Sequence, residues 1–204
     1  MDEYFSLGTY ERQITASSAE AVTWFNRGLI WCYGFHHKEA LHCFEQVLEL
    51  DPSCAMGHWG VAYATGPYYN IPWPKMSPPG REAALLKTYE HSQKAQSLSA
   101  SCAVSPVERA LCEALTCRFQ APQVEDDEVL SQWDDDYADA MRGVLAQFPH
   151  DNDICAHTAE ALMCRTPWQL WDLENRCPAQ GSDTTEAIGI IEQALARVSE
   201  SGQA

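Results

Sequence analysis

The chain has 204 residues, enough to bury a real core, and its 29 acidic against 13 basic side chains leave a formal charge of −16. That balance repels phosphate backbones and anionic membrane surfaces, so neither nucleic acid nor membrane is expected as a partner. Nine scattered cysteines form no CxxC pair, no apolar h-region follows "MDEYFSLGTYERQ", and no run approaches the ~18 apolar residues of a bilayer span, so reduced thiols and a cytoplasmic setting are expected.

Residues 1–16 read as an N-terminal extension. A capping box at Ser17-x-x-Glu20 opens a helix whose apolar period runs to Gly34, and "HKEALHCFEQVLEL" forms a second that ends before Asp51-Pro52. Within this pair Trp24, Gly28, Trp31, Ala40, Phe44 and Pro52 keep a fixed register. Small Gly28 and Ala40 allow the two helices to approach, and the rings fill the volume around that contact. "SCAMGHWGVAYATG" starts a second pair, with Val61 and Ala62 at the close-contact positions. Its partner helix is delayed by "GPYYNIPWPKMSPPG", residues 66–80. Proline at 67, 72, 74, 78 and 79 argues against helix there, so the next helix is expected from Arg81. The connection is then about fourteen residues, where ~2–8 is usual.

A box at Ser105-Pro106-x-Glu108 opens "SPVERALCEALTCRF", an acidic linker follows, and "WDDDYADAMRGVLAQF" is its partner helix. "DNDICAHTAEALM" begins a fourth pair that is broken at Pro167, and a box at Asp183-x-x-Glu186 opens the closing helix "TTEAIGIIEQALARVSE". The acidic runs at 125–128 and 134–136 read as solvated faces or loops. Trp168, Leu170 and Trp171 are expected to pack on the preceding helix.

The register of Trp24, Gly28, Trp31, Ala40, Phe44 and Pro52 makes residues 21–54 resemble one tetratricopeptide repeat, with Arg27 where that family usually has Leu and Val47 where it usually has Ala. The resemblance implies an all-α fold, an antiparallel helical-hairpin repeat array of about seven to nine helices wound as a superhelix. It would occupy 17–200, with a second repeat at 55–100 that carries the inserted loop 66–80. The arrangement is also similar to a group of longer tetratricopeptide-repeat proteins of bacteria and fungi with a histidine-rich second half, which implies, as an alternative reading, an incomplete form of such a protein.

From the same resemblance the groove positions are Val22, Phe25, Leu29, Cys32 and Tyr33 in the first repeat and Met56, Trp59 and Tyr63 in the second. They imply an aromatic, apolar groove that takes a protein or peptide segment, with the aromatics buried against a neighbouring element as the plain structural alternative. In the loop, Tyr68, Tyr69, Asn70 and Trp73 are expected to fold back across the groove, because three large rings are costly in water. The alternative function is a small-ligand or metal-dependent site closed by this loop and touched by His36, His37 and His58. Their spacing does not by itself bring them within the ~2–2.3 Å of one ion that ligation needs. No cofactor and no catalytic residue is assigned, since HExxH, GxSxG, a P-loop and a dinucleotide-type glycine turn are all missing from the sequence.

Overall fold

The computed structural model describes residues 4–200. In chain order they form α1 (Ala19–Tyr33), α2 (His37–Leu50), α3 (Ala55–Thr65), a 3-10 turn (Trp73–Lys75), α4 (Pro78–Ser101), α5 (Pro106–Arg118), α6 (Asp127–Gln147), α7 (Asn152–Cys164), the two-residue strands β1 (Trp171–Asp172) and β2 (Cys177–Pro178), and α8 (Thr184–Glu200). The fold is all-α, built from consecutive helices that pack as hairpins: α1 on α2, α2 on α3, α6 on α7, and α7 on α8. By its contacts the chain divides into two compact units, Met1–Gly66 with Ala83–Thr116, and Pro67–Glu82 with Cys117–Ala204.

The helix starts show local chemistry choosing the ends. The box at Ser105 forms in both directions: the Glu108 amide donates to Ser105 Oγ at 3.3 Å, and the Ser105 amide donates to Glu108 Oε2 at 2.8 Å. At α1 the cap is one residue later than expected. Ser18 Oγ accepts from the Ala21 amide at 3.2 Å, while the Ser17 amide donates to Asp51 Oδ2 at 2.7 Å. At α8 the carboxylates of Asp183 and Glu186 are engaged in ion pairs with Arg165 and Arg142.

Two helices begin earlier than expected. α4 opens at Pro78 rather than Arg81, because a proline in the first turn lacks only an amide that has no intrahelical partner there. α6 opens at Asp127 rather than Trp133, so the second half of the expected acidic linker is helix: Asp126 caps it by accepting from the Glu128 amide at 2.9 Å, and Asp127 and Glu128 sit in the first turn, where the helix dipole favours negative charge. The α1–α2 turn is made by Phe35 in the left-handed region (φ 58°) directly after Gly34.

In the first unit, packing centres on Phe44. A Cβ at Gly28 would lie 2.5 Å from its ring and one at Gly60 would lie 2.4 Å away, so the ring is held between bare backbone of α1 and α3. Gly28 thus plays the close-approach part expected of it. In the second repeat the position that touches Phe44 is Gly60, while Val61 and Ala62 are fully buried. The valine at 47 is accommodated in the same way, since a Cβ at Gly57 would stand 2.9 Å from Val47 Cγ1.

In the second unit, Trp73 of the loop is buried with its ring edge-on to Phe119 at 6.3 Å, and the 3-10 turn packs on α6. After α7 the chain does not pack as expected: Trp168 is 64% exposed and Trp171 45% exposed. The β1–β2 pair and the Ala179 amide, which donates to the Leu170 carbonyl at 3.1 Å, close a local turn here, and the two indoles lie outward.

Candidate functional site

Three of the expected groove residues, Phe25, Trp59 and Tyr63, lie together. Phe25 meets Phe44 (5.4 Å between centroids) and Trp59 (6.5 Å), and Trp59 stacks on Tyr63 at 4.8 Å with planes 10° apart. Most of the expected set are also enclosed: Phe25, Leu29, Cys32, Met56, Trp59 and Tyr63 are buried, Val22 is half-buried, and of the eight only Tyr33 is exposed, at 37%. In this conformation the six are core of the first unit.

The loop is ordered by its own unit. Tyr68 and Ile71 exchange backbone hydrogen bonds of 2.9 and 3.3 Å, which puts Tyr69 and exposed Asn70 at a tight turn. Tyr69 stacks on Trp168 at 5.7 Å, and the Pro67 carbonyl accepts from Arg118 Nη2 at 2.9 Å. The three candidate histidines belong to the first unit and play separate parts. His36 caps α2, its Nδ1 accepting from the Glu39 amide at 3.2 Å, and His37 is the first residue of α2. His58 lies with its Nδ1 3.0 Å from Nδ1 of His91, and its Nε2 is 3.2 Å from the Pro52 carbonyl. That geometry makes Nε2 the protonated nitrogen of His58 and leaves its Nδ1 as acceptor. Burial pushes both rings toward the neutral form, His91 down to about 4. Among the described residues no three His, Cys, Asp or Glu side chains are grouped to hold a metal ion.

The N-terminal extension is an arm bound along the first unit. The Asn26 amide grips both sides of Arg12: Oδ1 accepts from its backbone N–H at 2.7 Å, and Nδ2 donates to its carbonyl at 3.2 Å. Glu108 accepts from the Thr15 amide (2.6 Å) and hydroxyl (2.8 Å), and Asp51 accepts from the Ser17 amide. Burial works against the Asp51 charge, yet hydrogen bonds from Ser53 and Ser17 outweigh it and hold the carboxyl below its ordinary range. At the other end Tyr4 Oη accepts from Trp31 Nε1 at 2.8 Å and donates to Glu39 Oε1 at 2.9 Å. The Arg27 guanidinium lies over the rings of Tyr4 (4.1 Å) and Trp24 (4.5 Å), a cation–π arrangement that accounts for arginine at a position where a tetratricopeptide repeat usually has leucine. Between the arm and α1 lies a cavity of about 690 Å³, lined among others by Leu7, Glu11, Val22, Asn26 and Ile30.

The second unit holds two features that sequence reasoning did not single out. One is a buried ionic centre. Arg118, 1% exposed, lies 3.9 Å from Asp134 and 3.8 Å from Glu160, with its guanidinium 4.8 Å from the Tyr137 ring centroid. Asp134, placed by its acidic run on a solvated face, therefore points inward, while Asp135 pairs with Arg165 and Asp136 accepts from Gln120. Burial pushes the Asp134 carboxyl up to about 7, more than Arg118 draws it down, with Glu160 and Asp135 adding to the rise. Burial also opposes the Arg118 charge, but Glu160 and its neighbours outweigh that and its pKa is raised. The other is an apolar groove of about 380 Å³ on the α7–α8 hairpin, lined by Ala159, Met163, Leu170, Ala187, Ile188 and Ile191, with Thr184 and Glu192 its polar members.

Residues 21–54 match the family model of the tetratricopeptide repeat. These residues form the helical hairpin α1–α2, so this segment is one repeat of tetratricopeptide type, and repeats of this type support a general role in protein–protein interaction or scaffolding. No curated protein and no solved structure matches the chain. No helix among the described residues is long and apolar enough to cross a membrane.

Proposed function

We propose that this protein is an interaction module whose α7–α8 groove takes an amphipathic helix of a partner protein. The observation that carries the reading is the groove itself: carbon-lined, accessible, and lined in part by exposed Ile188. Contiguous apolar surface left open on a folded domain marks an interaction site. A partner helix would offer bulky apolar anchors at i, i+3 or i+4, and i+7, with lysine or arginine beside them to suit Glu192 and the net charge of −16. The aromatic set at Phe25, Trp59 and Tyr63 is interior of the first unit and takes no part in this binding.

The test uses synthetic amphipathic helices with leucine anchors and either lysine or glutamate flanks. Lysine-flanked peptide is expected to bind in the micromolar range, and Ile188→Glu, at a site already 45% exposed, to weaken it about tenfold or more without lowering Tm. Equal binding by wild type and Ile188→Glu, or binding by neither peptide, overturns the assignment of this groove.

A further inference from the structure

We propose that the N-terminal arm, residues 4–17, is a peptide bound in cis, and that an extended segment of another protein with the arm's own chemistry competes for its seat. The inference rests on the interaction-module reading but concerns a different surface, in the first unit. The arm is held the way an extended ligand is held. Its anchors are side chains of the helical body that grasp arm backbone: Asn26 on both polar groups of Arg12, Glu108 on the Thr15 amide, and Asp51 on the Ser17 amide. Bonds of this kind read an extended backbone rather than a particular sequence. Sequence preference enters through rings, with Tyr4 edge-on to Trp24 at 5.2 Å and Tyr10 edge-on to Tyr33 at 5.9 Å.

The arm is also poised to leave. None of its described residues is buried, Phe5 is 66% exposed, and the cavity of about 690 Å³ separates much of it from α1. A segment with few buried apolar contacts of its own opens locally while the body stays folded. Gly8 (φ +84°) supplies the bend in the arm that a residue with a side chain would adopt only with strain. The competing segment is thereby specified. It is extended, carries aromatic residues about six positions apart, and has no proline where the Arg12, Thr15 and Ser17 amides donate.

The test keeps the full chain. Thr15→Pro removes the amide bound by Glu108, and combined with Tyr10→Ala it should release the arm, read as faster tryptic cleavage after Arg12 with the helical signal unchanged. A fluorescein-labelled peptide spanning residues 2–18 is then added. It is expected to bind the released-arm protein in the micromolar range and wild type at least about tenfold more weakly, because the tethered arm competes at an effective concentration of order millimolar. Asn26→Ala in the released background should weaken the peptide about fivefold or more. Absence of binding to the folded, released-arm protein, or equal binding to wild type, overturns the proposal. Should the double variant not fold, hydrogen exchange on wild type decides: the Arg12, Thr15 and Ser17 amides are expected to exchange roughly 100-fold or more faster than those of α3, and equal protection overturns it. A failed α7–α8 peptide assay leaves this outcome unaffected, since neither the probe nor the variants touch that hairpin.

Discussion

Phe44 has no room to spare. Its ring fills the space that a Cβ on Gly28 or Gly60 would need, so Gly28→Ala or Gly60→Ala forces the ring or a helix to move. Each is expected to cost about 1–3 kcal/mol by urea denaturation, and Phe44→Leu in the Gly60→Ala background should recover part of that loss. An unchanged midpoint in either alanine variant would show that the Phe44 ring is held loosely against that helix. Asp134 makes a prediction about pH. Its folded-state pKa of about 7 lies above the ordinary carboxyl value near 3.9, so the folded protein holds this proton more tightly than the unfolded chain does. The contribution to stability is fully present below about pH 4 and is lost as pH rises through 7, an effect on the order of a few kcal/mol. Asp134→Asn removes the titration, and the difference between the two proteins in stability from pH 5 to 8 should follow this sign; parallel profiles would refute it. Gly28 was legible in the sequence because a small residue in a known register has one packing use. The inward turn of Asp134 was not, since a run of three aspartates reads as solvated until a buried arginine 16 positions away is known to face it.

At the level of elements, the turn between α1 and α2 carries strain that the sequence makes unnecessary. Phe35 occupies the left-handed region although Gly34 precedes it, and its side chain is 58% exposed. Phe35→Gly relieves about 1–2 kcal/mol of conformational cost, offset in part by the greater freedom of glycine in the unfolded chain. The net expectation is a gain of up to about 1 kcal/mol, measured as a rise in Tm, and a fall would mean that the exposed ring makes stabilising contacts. Glu108 links two elements, closing the capping box of α5 while holding Thr15 of the arm, at 1% exposure. Glu108→Gln weakens charge-assisted bonds on both sides, and about 1–3 kcal/mol is expected to be lost together with protection of the Thr15 amide. The box was readable from Ser105 and Glu108 because capping depends on residues three apart. Its second client was not, because Thr15 lies 93 positions away in sequence.

For the molecule as a whole, the charge of −16 is the dominant electrostatic fact. Like charges in one compact chain repel, and added salt screens them over a Debye length of about 10 Å at 0.1 M. Tm should therefore rise as NaCl goes from about 20 to 500 mM at pH 7.5. A fall would mean that attractive pairs, such as Arg142 with Asp139, Asp183 and Glu186, outweigh the general repulsion. Screening should act oppositely on a basic partner helix, weakening its binding as salt rises.

The sequence alone determined the helices and the first repeat, because capping, period and a six-position packing register are set by residues near one another in the chain. The net charge of −16 is likewise fixed by composition, since it needs no coordinates. Only the tertiary structure decided which faces are open. Phe25, Trp59 and Tyr63 meet, as their register implied, but are enclosed, while Ile188 and Trp168 face outward and the N-terminal arm lies on α1. Exposure depends on what lies against a side chain, and those neighbours come from segments tens of residues away, where no local period records them.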